Sequence, residues 1–204
     1  MTPSTISLLP TVDTCERHLK AATFLDACLE PDADWRTFHV IEPHRWYVDS
    51  RQGSCLLTCR EGNTTFIAAY NEYSPVATWP NGELARLVLL EAAHAGPFLN
   101  AAEHMLGGIT FVCWNTRGTW EVPSILAEAS ISTTPIKFLN IIGSGAAPFL
   151  EWAADFHEVA LPAEATRSCF VNNTISRNDI RVFARVSVDE WDALATQCGV
   201  CLTD

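Results

Sequence analysis

Residues 54–71 read SCLLTCREGNTTFIAAYN: two largely apolar runs, Ser54 to Arg60 and Thr64 to Asn71, on either side of Glu61-Gly62-Asn63. A short glycine-containing connection between two such runs predicts a β-hairpin, and a hairpin commits the sheet it belongs to toward antiparallel pairing. Working outward, Thr37 to Ile41 and Arg45 to Val48 read as short strands separated at Pro43, whose ring nitrogen has no hydrogen to give a ladder. Downstream, Ile109 to Trp114 and Thr119 to Val122 read as a second hairpin around Thr116-Arg117-Gly118.

Helical patterns lie before, between and after these runs. From Asp13 to Glu30, Cys15, Leu19, Ala22, Leu25 and Leu29 recur at three- and four-residue spacing, and Pro31 closes the pattern. Asn81 reads as the N-cap of a helix to about Ala95, with Leu84, Leu87 and Val88 on successive turns. Gly96-Pro97 ends it, and Phe98 to Leu106 follows as a second helix stopped by Gly107-Gly108. Ile125 to Ser132 fits helix and strand equally. Phe138 to Ile142 is an apolar run that predicts a buried strand. Gly143-Ser144-Gly145 then turns the chain into a helix from about Ala147 to His157, with Pro148 in its first turn.

Toward the end, Arg167 to Asn173 and Asp179 to Val186 read as strands around a polar Thr174 to Asn178 turn. In the second, Ile180, Val182, Ala184 and Val186 would point inward. Ser187 followed by Glu190 is a capping box opening a last helix whose apolar face carries Trp191 and Leu194. The expected fold is α+β: a mostly antiparallel sheet built from hairpins with helices packed against it. With no repeat, low-complexity tract or linker, one domain over residues 1–204 is the simplest organisation.

Of the 204 residues, 48% are apolar and 18% charged, which suits a sizeable buried core. The net charge is −11, and residues 61–166 carry −8 of it, with eleven acids and three bases. A field of that sign repels nucleic-acid phosphates and anionic lipid and steers in a basic protein partner. No apolar run approaches 20 residues, so no membrane span is expected. The start, MTPSTISLLPTVDTCERHL, lacks the basic and long apolar stretches of a secretory signal. A cytoplasmic location with reduced thiols is the expectation.

Three patterns bear on chemistry. The eight cysteines include Cys55 with Cys59 and Cys198 with Cys201, two pairs that could in principle close a tetrahedral zinc site. Each pair also has a local role, on one face of a strand and at a helix end, and no cofactor is expected. Glu91 and His94 have the Glu-x-x-His spacing of a carboxylate-bridged metal site, without the second copy such a site needs. Gly143-Ser144-Gly145 after an apolar run could hold an oxyanion on helix-start N–H groups, with Ser144 as a candidate nucleophile. The spacing is not that of a nucleophile elbow, a dinucleotide fingerprint or a P-loop.

The ten residues Phe138-Leu139-Asn140-Ile141-Ile142-Gly143-Ser144-Gly145-Ala146-Ala147 loosely resemble a strand–turn–helix segment of the proteasome-type N-terminal-nucleophile hydrolases. That resemblance implies a free Thr, Ser or Cys at the mature amino terminus, its α-amine acting as base. The chain starts Met1-Thr2-Pro3 with no strand pattern after it, so the family's nucleophile has no counterpart position.

Two functions follow as expectations. The first is a non-catalytic, acidic interaction protein of the inhibitor or immunity type that docks on a basic protein partner. Its candidate contacts are the acids Glu83, Glu91, Glu103 and Glu121 with the aromatics Trp46, Tyr47, Trp114 and Trp120. His39 and His44 bracket Pro43 beside Trp46 and Tyr47, a run that fits an exposed recognition edge and a core-lining strand equally, and Arg167, Arg177, Arg181 and Arg185 form a basic cluster read as a solvated strand face. The alternative is a small hydrolase or transferase with its site at Gly143-Ser144-Gly145.

Overall fold

The computed structural model describes residues 4–6, 9–49, 53–80, 82–128 and 137–204. The chain forms two compact units that alternate along the sequence: Met1–Val12 with Ile41–Ile136, and Asp13–Val40 with Lys137–Asp204.

The first unit is built on an antiparallel sheet. Its strands are β1 (Ser4–Ile6), β3 (Arg45–Asp49), β4 (Ser54–Glu61), β5 (Thr64–Asn71), β6 (Phe111–Thr116) and β7 (Thr119–Val122), in the order β1-β7-β6-β5-β4-β3. β2 (Phe38–Glu42) follows β3 at the edge. The central hairpin has the predicted form: Glu61 pairs with Thr64 across Gly62-Asn63, and Gly62 takes the left-handed φ of +58° that the tight turn requires. Cys55 to Cys59 and Thr65 to Ala69 are buried without a break, so both faces of β4 and β5 are covered. In the second hairpin Arg117 and Gly118 both have left-handed φ, at 67° and 87°, and Asn115 Oδ1 accepts the Gly118 N–H at 3.0 Å.

Among the described residues, three α-helices belong to the same unit: α2 (Glu83–Glu91), α3 (Gly96–Leu106) and α4 (Ser124–Glu128). α3 packs on β4 and β5, where Phe98 stacks on Phe66 with ring centroids 5.0 Å apart. Pro97 sits in its first turn, where its missing N–H is harmless, and Gly107 ends it with a left-handed φ of 71°. The proposed N-cap Asn81 lies outside the described residues, as does the part of 125–132 beyond Glu128. α2 starts after Gly82.

The second unit is mainly helical: α1 (Val12–Leu29), α5 (Lys137–Ser144), α6 (Ala146–His157), α7 (Ala163–Asn172), α8 (Arg177–Phe183) and α9 (Val188–Cys198). A two-stranded parallel sheet of β8 (Thr174–Ser176) and β9 (Cys201–Thr203) completes it. Every residue of α1 from Ala21 to Leu29 is buried, so the second half of this helix is enclosed on all sides. Among them is Asp26, whose Oδ2 accepts the backbone N–H of Thr37 at 2.7 Å and of Phe38 at 2.9 Å. His157 Nε2 lies 2.9 Å from Oδ1.

Three predicted strands are helices. In α5, Phe138, Leu139, Ile141 and Ile142 are buried while Asn140 is exposed, a helical face; a strand would have buried Asn140 with its neighbours at 138 and 142. In α7 the buried residues are Ala165, Thr166, Cys169 and Phe170, again at helical spacing. In α8, Ile180 and Phe183 are buried three apart while Val182, expected inward, is 74% exposed. Ser176 opens α8 by accepting the Asp179 N–H, and the predicted polar turn before it holds β8. The capping box is as expected, the Glu190 carboxylate accepting the Ser187 N–H and hydroxyl at the start of α9.

Candidate binding cleft

The first unit has a cleft of about 80 Å³ where the Pro75–Thr78 turn, the start of α2 and the end of α3 come together. Its walls include Tyr70 at the end of β5, Trp79 and Pro80 before α2, and Ile109 and Thr110 after α3. Thr110 is a wall component: its hydroxyl oxygen accepts the Asn71 N–H at 2.9 Å and donates to the Ala69 carbonyl at 3.3 Å, so it has little capacity left for a ligand. Glu103, in the last turn of α3, brings the one charged side chain among the lining residues. It is half-buried and has no ion pair or hydrogen bond to its carboxylate among the described residues.

Two glycines keep this site open. A Cβ on Gly82 would stand 3.4 Å from Glu103 Oε1, and a Cβ on Gly108 would stand 3.4 Å from Tyr70 Cδ2. A side chain at either position would therefore start in van der Waals contact with the carboxylate or the ring. The negative end of the α3 dipole and the positive end of the α2 dipole both lie beside this opening and offset one another, which leaves Glu103 as its net charge. The concavity therefore pairs negative potential with aromatic surface, a combination that suits an organic cation.

Of the sequence-derived docking residues, Glu103 alone lines this cleft. Glu91 faces inward, with its carboxylate accepting the Ser124 N–H at 3.0 Å and hydroxyl at 2.5 Å, which caps α4. Glu121 accepts the Trp114 indole N–H at 2.8 Å across the β6–β7 pair. Glu83 is held by Arg86 at 2.7 Å, and that hydrogen bonding lowers its carboxyl pKa.

The aromatic expectations need correction. Trp46, Trp114 and Trp120 are each no more than 3% exposed and belong to the core, because they sit at inward positions of β3, β6 and β7. Trp120 also ties down the amino-terminal segment by donating its indole N–H to the Pro10 carbonyl at 2.6 Å. Tyr47 is half-buried, and its hydroxyl is pushed up to about 12, first by burial and then by Asp49. The acidic middle of the sequence is likewise divided: residues 61–136, with seven acids and two bases, fall in the first unit, and 137–166, with four acids and one base, in the second.

The remaining patterns do not converge. Cys55 and Cys59 are buried in the first unit; Cys198 is buried and Cys201 exposed in the second. Among the described residues no three His, Cys, Asp or Glu gather as a metal would require. His94 lies against the Phe66 ring, centroids 5.7 Å apart, and shares no ligand position with Glu91. Of the four arginines, Arg167 pairs with Glu164 and Arg177 with Asp192, while Arg185 donates to the His157 carbonyl, all from helices or their ends.

Ser144 is exposed at the end of α5, and its hydroxyl makes no hydrogen bond among the described residues. Helix, not strand, precedes the turn, so the strand–turn–helix likeness to N-terminal-nucleophile hydrolases loses its first element; Met1 to Pro3 lie outside the described residues. His18 is the near neighbour of that turn. Its Nδ1 bonds to the Ile142 carbonyl at 2.7 Å, and Nε2 lies 3.0 Å from where a Gly145 Cβ would stand. Burial lowers the His18 pKa.

Sequence reasoning did not find Tyr70, Trp79, Gly82 or Gly108 as partners of Glu103. They are spread from position 70 to 108 across one strand, one 3₁₀ turn and two helix ends, with no fixed spacing to mark them. Among the described residues no helix is long and apolar enough to cross a membrane. Comparison of the chain with protein-family models, with curated proteins and with solved structures finds no match.

Proposed function

We propose that this chain is a non-catalytic interaction protein, of the inhibitor or immunity type, that docks on a basic protein partner. The observation that supports this reading best is the Glu103 carboxylate, unpaired among the described residues and set in a concave, aromatic-walled cleft on a chain of net charge −11. The overall charge would speed and orient encounter, and desolvated contacts at the cleft would hold the complex. The test is affinity capture at low salt, followed by stopped-flow association with the purified captured protein across a salt series. A basic partner whose association rate falls as salt rises is expected. A rate indifferent to salt, or a partner with acidic charge, refutes the reading.

A second reading, a small hydrolase or transferase acting through Ser144, draws on one observation: the His18 imidazole beside Gly145. A serine nucleophile needs a base within hydrogen-bond reach. Ser144→Ala and His18→Gln would each abolish turnover in that case, and full retention of the cellular phenotype by Ser144→Ala removes it.

A further inference from the structure

We propose that the Glu103 cleft is an arginine subsite, taking the guanidinium end of one arginine side chain of the docking partner; this rests on the reading of the chain as a binder of basic protein. Size comes first. A cleft of about 80 Å³ is several times the roughly 10–15 Å³ that one water needs and well below the roughly 300–1,000 Å³ of small-molecule and cofactor sites. It has room for the end of a side chain.

Charge narrows the choice to a cation. Glu103 has no ion-pair partner among the described residues and no lysine or arginine lines the cleft; the end of α3 and the start of α2 both border it, so their dipoles oppose one another and the cation preference rests on the carboxylate. The Tyr70 and Trp79 rings then favour arginine over lysine. A guanidinium is planar, weakly hydrated and able to stack on a ring while it forks onto a carboxylate, whereas an ammonium is a compact, strongly hydrated point charge. Glycine at 82 and at 108 places no side chain against the carboxylate or the Tyr70 ring, both of which stay partly exposed.

A rival role for Glu103 is structural. Gly82 caps α2 with no side-chain hydrogen bond, so the nearby carboxylate could serve the positive end of that helix. The experiment separates the two. End-blocked Gly-Arg-Gly and Gly-Lys-Gly peptides are titrated into the full chain, with backbone amide shifts of Gly107, Gly108, Ile109 and Thr110 and the Trp79 indole N–H as readout. The expected result is saturable shifts of these signals with the arginine peptide, about tenfold weaker binding of the lysine peptide, and a loss of about tenfold or more in Glu103→Gln.

Trp79→Leu is the second variant and is expected to lose arginine preference while keeping its melting temperature. Equal binding of the two peptides overturns the arginine assignment and leaves the basic-partner reading standing. Neither peptide shifting the cleft signals, with Glu103→Gln lowering the melting temperature, overturns the subsite and makes Glu103 a cap of α2. If the captured partner then still associates in a salt-dependent way with Glu103→Gln, the subsite alone has failed. If that association is salt-independent as well, both have.

Discussion

Replacing Asp26 by alanine tests the energetic account of the second unit most severely. The side chains of Asp26 and His157 are 0% and 3% exposed, and one carboxylate serves the Thr37 N–H, the Phe38 N–H and the His157 imidazole. It thereby joins α1, the segment entering β2 and the end of α6. Without it three buried donors lose their acceptor. Each such group costs about 1–3 kcal/mol, and removing one side of a buried polar pair costs about 3–5 kcal/mol in comparable cases. The expected loss for Asp26→Ala is about 5 kcal/mol, comparable with the whole stability of a modest domain. Asp26→Asn keeps the shape and one acceptor oxygen but turns an NH₂ toward a donor, and should lose about 2–3 kcal/mol. Urea unfolding gives the free energies, and hydrogen exchange at the Thr37 and Phe38 amides gives the location. A loss below about 1 kcal/mol in Asp26→Ala, with both amides as protected as in the parent chain, would refute this reasoning.

His18 has its pKa lowered by burial below the ordinary imidazole value of 6.5, so the unfolded chain binds its proton more readily than the folded one. Stability should therefore fall as pH drops below about 6.5, and His18→Gln should flatten that part of a melting-temperature profile. Cys15, Cys169 and Cys198 are pushed up to about 12 and Cys55 to about 11, each chiefly by burial, whereas Cys201 is exposed. An aromatic disulfide reagent should accordingly find one fast-reacting thiol in the native protein and none in Cys201→Ser. Arg117 holds a φ of 67° in the β6–β7 turn, and Arg117→Gly should raise stability by about 0.5–1 kcal/mol by scanning calorimetry. Ser187→Ala, which removes half of the capping box of α9, should lower it by about 1 kcal/mol.

The first unit could be read from its sequence because its signals are local. Gly62-Asn63 and Arg117-Gly118 fix two turns, the turns fix the strand partners, and β4, β5, β6 and β7 follow with ends within two residues of the expected ones. The long α1 was equally readable, since eighteen residues give periodicity several turns in which to repeat. Short apolar runs were not. Phe138 to Ile142 and Asp179 to Val186 fit a period of two and a period of 3.6 about equally well over so few residues. The choice was made by tertiary burial, which keeps Phe183 inside and leaves Val182 in water.

The candidate site was harder to read, for a reason that goes beyond element type. A count along the chain treats every carboxylate between 61 and 166 alike, but folding gives them different tasks. Glu91 is consumed by the start of α4, Glu121 by an indole, and Glu83 by an arginine one turn away. Glu103 differs because its α3 position falls one turn before a glycine stop and opposite another glycine, so among the described residues no side chain pairs with it. The same division applies to the rings: Trp46, Trp114 and Trp120 point along the pleat into the core, whereas Trp79 sits in a connection, outside the alternation that buries the others. The proposed binding function would thus depend less on total charge than on which carboxylate the backbone leaves without an internal use, and that is decided by helix ends and turns brought together from distant parts of the sequence.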